Sequence, residues 1–186
     1  MRTYPKDALL AATRIATIAI MALLAVAFCA VVIAIPFAIA ERSEMAAALS
    51  AGNTGETVGR AIVLITAFLV GVALVIAAAF RFVQLLGQII DTVAKGDPFI
   101  IENAARLTAM GWLALAIQVL AYLLEGLAGW LTLMFPDGLG ADNWNFTVDG
   151  DLSFSAEGIL LALVLFILAR VFRKGTEMRA DLEGTV

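Results

Sequence analysis

Hydrophobic positions in this chain come in long unbroken runs rather than in alternation, and short charged segments separate the runs. Runs of this kind predict membrane-spanning helices, because about 20 apolar residues rising about 1.5 Å each cross a hydrocarbon core about 30 Å thick. The first, Ile15 to Ala40, holds 26 residues without a charge and as a helix would extend about 39 Å. Pro36, near its far end, is expected to kink or end that helix rather than break its middle. The second run, Ala61 to Phe80, has twenty residues; the third, Leu107 to Leu124, is interrupted by Glu125 and then continues apolar to Pro136. The fourth has only twelve uncharged residues, Gly158 to Ala169. Glu157 at one end and Arg170, Arg173 and Lys174 at the other can reach toward the two interfaces, which lengthens it to about seventeen. The spans are therefore placed at 15–40, 61–80, 107–125 and 156–172.

Between the second and third spans, Phe82, Leu86, Ile89 and Val93 recur at helical spacing after Arg81 and predict an interfacial or span-extending helix. Lys95-Gly96-Asp97-Pro98 ends it, with Gly96 as the C-terminal cap and Asp97 expected to cap a new turn that starts at Pro98. A second helix should resume at Ile101 to Asn103 and carry Arg106 at the start of the third span. Beyond that span, Phe146 to Phe154 alternates around Asp149-Gly150 and predicts a short hairpin. Its Asp149 and Asp151 lack the spaced ligands and closing glutamate of a calcium loop. Ala30, Ala34 and Ala38, and separately Ala67 with Gly71, supply small-residue contacts for neighbouring helices. The predicted fold class is all-α: one membrane domain over residues 1–186, a four-helix transmembrane bundle with an interfacial cytoplasmic helix-turn-helix loop and an outer hairpin.

Charge orients this bundle, since loops rich in Lys and Arg stay on the cytoplasmic side. Arg2, Lys6 and Arg14 precede the first span, Arg81, Lys95 and Arg106 lie in the middle loop, and Arg170, Arg173, Lys174 and Arg179 follow the fourth. Only Arg42 and Arg60 fall on the other side. Both termini are expected in the cytoplasm, and Asp137, Asp142, Asp149 and Asp151, with Glu125 and Glu157, make the outer face acidic. Trp112, Trp130 and Tyr4 fall near span ends, where indole and phenol rings settle. Arg2, Lys6 and Arg14 before an apolar run ending in Ala38-Ile39-Ala40 also resemble a secretory leader. A leader's apolar region has about 7 to 15 residues, so the first run is read as a retained helix.

The composition narrows the chemistry. Of 186 residues, 62% are hydrophobic and 15% charged, which excludes an ordinary soluble domain. The net charge of −4 supplies no basic nucleic-acid face, so direct nucleic-acid binding is not expected. There is no histidine, and the lone Cys29 is read as a packing residue; no catalytic, cofactor or metal site is predicted, and an enzyme is not expected. Gln118 and Tyr122 lie four apart, with Glu125 one turn further, so together they could make an intramembrane polar face. Hydrogen bonding between helices is the simpler use of that face, a polar groove the sharper one.

Two stretches carry a family resemblance: Gly96-Asp97-Pro98-Phe99 with Glu102-Asn103-Ala104-Ala105-Arg106-Leu107 and Gly111-Trp112, and Leu168-Ala169-Arg170-Val171-Phe172-Arg173-Lys174-Gly175 with Met178-Arg179 and Asp181 to Val186. They resemble the bacterial domain-of-unknown-function family 2975. The resemblance implies a small four-helix protein of the bacterial inner membrane, often encoded beside a small helix-turn-helix DNA-binding regulator, and it implies no catalytic residues. The function expected from it is docking or signalling to that regulator through Arg106, Arg173, Lys174, Arg179, Asp181 and Glu183. The alternative is a small transporter, channel-like or peptide-resistance protein, a homo-oligomer with Gln118, Tyr122 and Glu125 facing a cavity.

Overall fold

The computed structural model describes residues 6–40, 43, 55–134 and 155–183, and side chains over 12–40, 43, 58–133 and 155–181. Four long helices fill these segments: α1 (Lys6–Ala40), α2 (Gly55–Ala94), α3 (Ile101–Met134) and α4 (Ala156–Glu183). The expected outer hairpin, Phe146 to Phe154, lies outside the described residues. Three helices are long and apolar enough to cross a membrane, over Ala12–Ala40, Val58–Ala94 and Ile101–Leu133. α4 has 28 residues, but its uncharged stretch is only about 18 Å long as a helix. Helix α1 runs one turn past Pro36, and Ser155, a residue type that readily caps a helix N-terminus, immediately precedes α4.

The middle loop resolves into a longer helix and a shorter turn than an interfacial segment would need. α2 continues unbroken through Phe82, Leu86, Ile89 and Val93 to Ala94, so these residues extend the span. Gly96 then takes φ +82°, its N–H donating to the Val93 carbonyl (3.0 Å) while the Asp97 N–H donates to the Thr92 carbonyl (3.2 Å). These two bonds form a Schellman cap, which needs a left-handed residue that glycine adopts without strain. Asp97 therefore closes the helix behind it and does not cap a new turn at Pro98; α3 begins at Ile101.

The chain forms two compact units: residues 1–25, 78–118 and 156–186, and residues 26–77 and 119–155. In the first, Leu85 and Ile89 of α2, Leu107, Met110 and Ala114 of α3, and Ala162, Leu165 and Ala169 of α4 make the buried core. α4 runs antiparallel to α3: Gly158 lies against Gln118, Gly111 against Phe166, and Gly175 against Phe99. A Cβ at Gly111 would fall 2.8 Å from the Phe166 ring, which Trp112 also meets edge-on at 5.5 Å. Helix α1 joins through Thr17, whose methyl packs at Gly87, and through an Arg14–Asp91 ion pair of 3.8 Å. In the second unit the buried apolar residues are small or short, namely Val58, Ala61, Ala73 and Ala128, and Gly71 meets the Leu124 side chain. Its expected small pair is used at Gly71, while Ala67 is exposed; Ala34 and Ala38 are half-buried and Ala30 is exposed. Cys29 is exposed as well, so it is not the packing residue expected from its apolar run.

The outer surface is apolar. Among the described residues, thirty-two large hydrophobic side chains are exposed against thirteen buried hydrophobic residues, with Leu23 at 70% and Leu133 at 78% exposure. Apolar patches on that scale are not sustained in water and suit a lipid surround.

Gly111→Ala is expected to lower stability by about 1–3 kcal/mol, because the added methyl overpacks the Phe166 ring. Thermal unfolding in detergent checks this, and Phe166→Leu in the Gly111→Ala background should recover part of the loss; additive losses would contradict the contact.

Candidate functional site

The densest polar network sits at the α2–α3 turn and centres on Asn103, which is fully buried. Its Nδ2 donates to Thr92 Oγ1 (2.7 Å) and to the Pro98 carbonyl (2.9 Å), and its Oδ1 accepts from Arg106 Nη1 (2.7 Å). Thr92 Oγ1 in turn donates to the Ile89 carbonyl (2.7 Å), and Arg106 Nε donates to Gln88 Oε1 (3.1 Å). A buried amide with both protons and its oxygen engaged avoids the desolvation penalty that an unpaired group would carry. Arg106 is thus half-buried and bonded to α2 and to its own helix, a scaffold position rather than an open contact.

The C-terminal part of α4 is fastened to this turn by one apolar and one ionic contact. Phe99 and Phe172 pack with ring centroids 5.3 Å apart at 44°, and a Cβ at Gly175 would fall 2.7 Å from the Phe99 ring. Arg179 Nη1 pairs with Asp97 Oδ1, an 82-residue separation closed by two half-exposed side chains. Lys174 Nζ lies 3.0 Å from Glu177 Oε2. That hydrogen bond and the Glu177 charge raise the Lys174 pKa above its ordinary value against an opposing effect of desolvation, and the more distant Asp181 adds least.

Of the residues expected to dock a partner, Arg173, Lys174, Arg179 and Asp181 are exposed on α4, Arg106 is taken up in the turn, and the Glu183 side chain lies outside the described ones. Arg173 and Lys174 share an open cleft of about 670 Å³ with Arg170, Glu177, Thr108, Phe166 and Ala169. The compact unit that contains this cleft also carries ten of the twelve Lys and Arg residues, all but Arg42 and Arg60.

The three residues of the expected intramembrane face differ in exposure. Gln118 is half-buried against Gly158 of α4, Tyr122 is 55% exposed, and Glu125 is half-buried with its Oε2 enclosed and without a hydrogen-bond partner. Gln118 belongs to the first compact unit and the other two to the second. Among the described residues, no group of three or more His, Cys, Asp or Glu side chains is gathered where it could hold a metal ion.

Sequence reasoning placed Asn103 only as a helix start and gave Phe99, Phe172 and Gly175 no structural role. The available signal was the Gly-Asp-Pro turn followed by an asparagine in the next helix's first turn, a residue that satisfies turn carbonyls. The profile of a family described as "Protein of unknown function (DUF2975)" matches residues 38–186. The chain belongs to this family. The family match covers α2, α3 and α4 with the turn, the cleft and the tail, and its description assigns no activity. No curated protein and no solved structure matches the chain.

Asn103→Ala is expected to cost about 1–3 kcal/mol, since it strands the Pro98 carbonyl and the Arg106 guanidinium; a change in unfolding midpoint no larger than that of an exposed alanine substitution would contradict the network. The Asp97–Arg179 pair should by contrast couple by about 0.2–1 kcal/mol in an Asp97→Ala/Arg179→Ala double-mutant cycle, and less at high salt.

Proposed function

We propose that this protein is a four-pass protein of the bacterial cytoplasmic membrane, with both termini inside, that docks a cytoplasmic helix-turn-helix regulator on the exposed end of α4. In this reading α4 is the fourth inserted helix over 156–172. The face of α4 turned away from Ala162, Leu165 and Ala169 exposes large apolar side chains, among them Leu160, Leu163 and Ile167, as suits a helix with one side in lipid. The basic tally supports the orientation, and the acidic outer loops agree with it.

The observation that carries docking is the fastened tail. α4 continues as a helix beyond its apolar stretch to Glu183, and Phe172 and Arg179 hold it on the α2–α3 turn through Phe99 and Asp97. Held in this way, a rigid helix presenting Lys174 and Asp181 gives a partner a pre-organised surface with both signs of charge. The family resemblance supplies the regulator as the partner's identity. Glu125 favours the second reading, a small transporter, because an enclosed carboxylate oxygen without a partner in an apolar helix is a frequent mark of an ion path.

A tagged copy purified from native membranes should bring down the regulator, and the Lys174→Glu/Asp181→Lys variant should lose at least nine-tenths of it at equal membrane abundance. Recovery of the regulator with neither protein would refute docking. If the transporter reading holds instead, proteoliposomes should show cation flux that Glu125→Gln abolishes.

A further inference from the structure

We infer that the cleft between α3 and α4 seats the phosphate headgroup of an anionic phospholipid of the cytoplasmic leaflet, an inference that rests on the membrane reading above but not on docking. Its lining changes character along one stripe of α4. Phe166 and Ala169 come first, then Arg170, Arg173 and Lys174, and finally Glu177, with Thr108 supplying a hydroxyl from α3. Leu163 and Ile167, 53% and 63% exposed, continue the stripe on its apolar side. Apolar wall followed by cationic rim is the order of a phospholipid from acyl chain to headgroup, and basic pockets at the cytoplasmic ends of membrane helices take such headgroups.

The charge in the cleft is available. Among the described residues, neither the Arg170 nor the Arg173 guanidinium has a hydrogen-bond or ion-pair partner, in contrast with Arg14, Arg106 and Arg179. Lys174 is shared with Glu177, the one carboxylate in the lining, so three cations face one anion. Two unpaired guanidiniums present planar donor forks that match phosphate oxygens. The depth also fits. The Gly111–Phe166 contact sets Arg170 near the level of Arg106, and Arg14 meets Asp91 at the far end of α2, so basic groups from three helices gather at one end of this unit, where a leaflet's headgroups would lie. A soluble anion would match the rim alone, whereas the apolar wall selects a ligand with a hydrocarbon part.

The purified protein in detergent, offered equal phosphatidylglycerol and phosphatidylethanolamine, is examined by native mass spectrometry. Wild type should retain phosphatidylglycerol preferentially, Arg170→Gln/Arg173→Gln should lose that preference by roughly tenfold or more, and Glu177→Gln should strengthen it. The last variant guards against a folding defect, which cannot produce tighter and more selective retention. Inorganic phosphate at millimolar concentration should leave the bound lipid in place. Equal retention of both lipids by wild type, unchanged preference in the double arginine variant, or displacement by inorganic phosphate would each overturn the proposal. Extraction of native membranes at alkaline pH separates the two levels: release of the protein would sink the membrane reading itself, while a protein retained in the membrane without lipid preference would sink only the headgroup site.

Discussion

The carboxamide of Asn103 is the constraint on which the rest of the first compact unit depends. A tight turn between two long helices leaves carbonyls at the end of one and amides at the start of the next without helical partners. Here the Schellman bonds at Gly96 and Asp97 close α2, and Asn103 takes the Pro98 carbonyl and the Thr92 hydroxyl. Once those bonds are made, α2 and α3 have one register. Gln88 then meets Arg106, and Leu85 and Ile89 enter the same core as Leu107 and Met110. A slip by one residue would turn these side chains by about 100° and leave a fully buried amide unpaired.

What closes that register into a three-helix core is close approach at small residues together with the large side chains Leu85, Ile89, Leu107, Met110 and Leu165. Lipid chains are as apolar as leucine, so association inside a bilayer gains from tight packing and hydrogen bonding more than from leaving water. The small members of the buried set allow that approach: Ala114, Ala162 and Ala169 are buried in it, and Gly111 makes room for the Phe166 ring. Large side chains such as Leu160 and Ile167 are left outside. A water-soluble bundle would not leave so many of them exposed.

Much of this was legible in the chain, and the reason differs by element. Uncharged runs located α1, α2 and α3 because their signal is length and composition, which need no knowledge of partners. The Gly96 cap was legible because a left-handed residue leaves a local mark. Asp97 was misread because Asp before Pro suits two roles, helix end and helix start, and the choice depends on whether its N–H reaches back to Thr92. For Gln118, Tyr122 and Glu125, spacing fixes a side of the helix but not what lies opposite, and that Gly158 lies against Gln118 is visible only in the fold. Glycine 111 and Gly175 carried no legible signal, since only the tertiary partner reveals why a side chain is missing there.

Charge is the part of the sequence whose meaning changed most. Counting Lys and Arg treats each as an equal vote for the cytoplasmic side, yet the structure sorts them by what they touch. Arg106 and Arg179 hold the turn and the tail, while Arg170 and Arg173 keep their donors open. Arg81 tests the sorting. Because α2 is continuous, Arg81 stands ten residues before Asp91, about 15 Å along the axis, on the side where α1 is uncharged. Its guanidinium donates to Gln84, one turn closer to Asp91. A long cation on an apolar helix leans in this way toward a more polar level. The same geometry sets Arg81 apart from the cleft, whose cations stand on α4 near the level of Arg106.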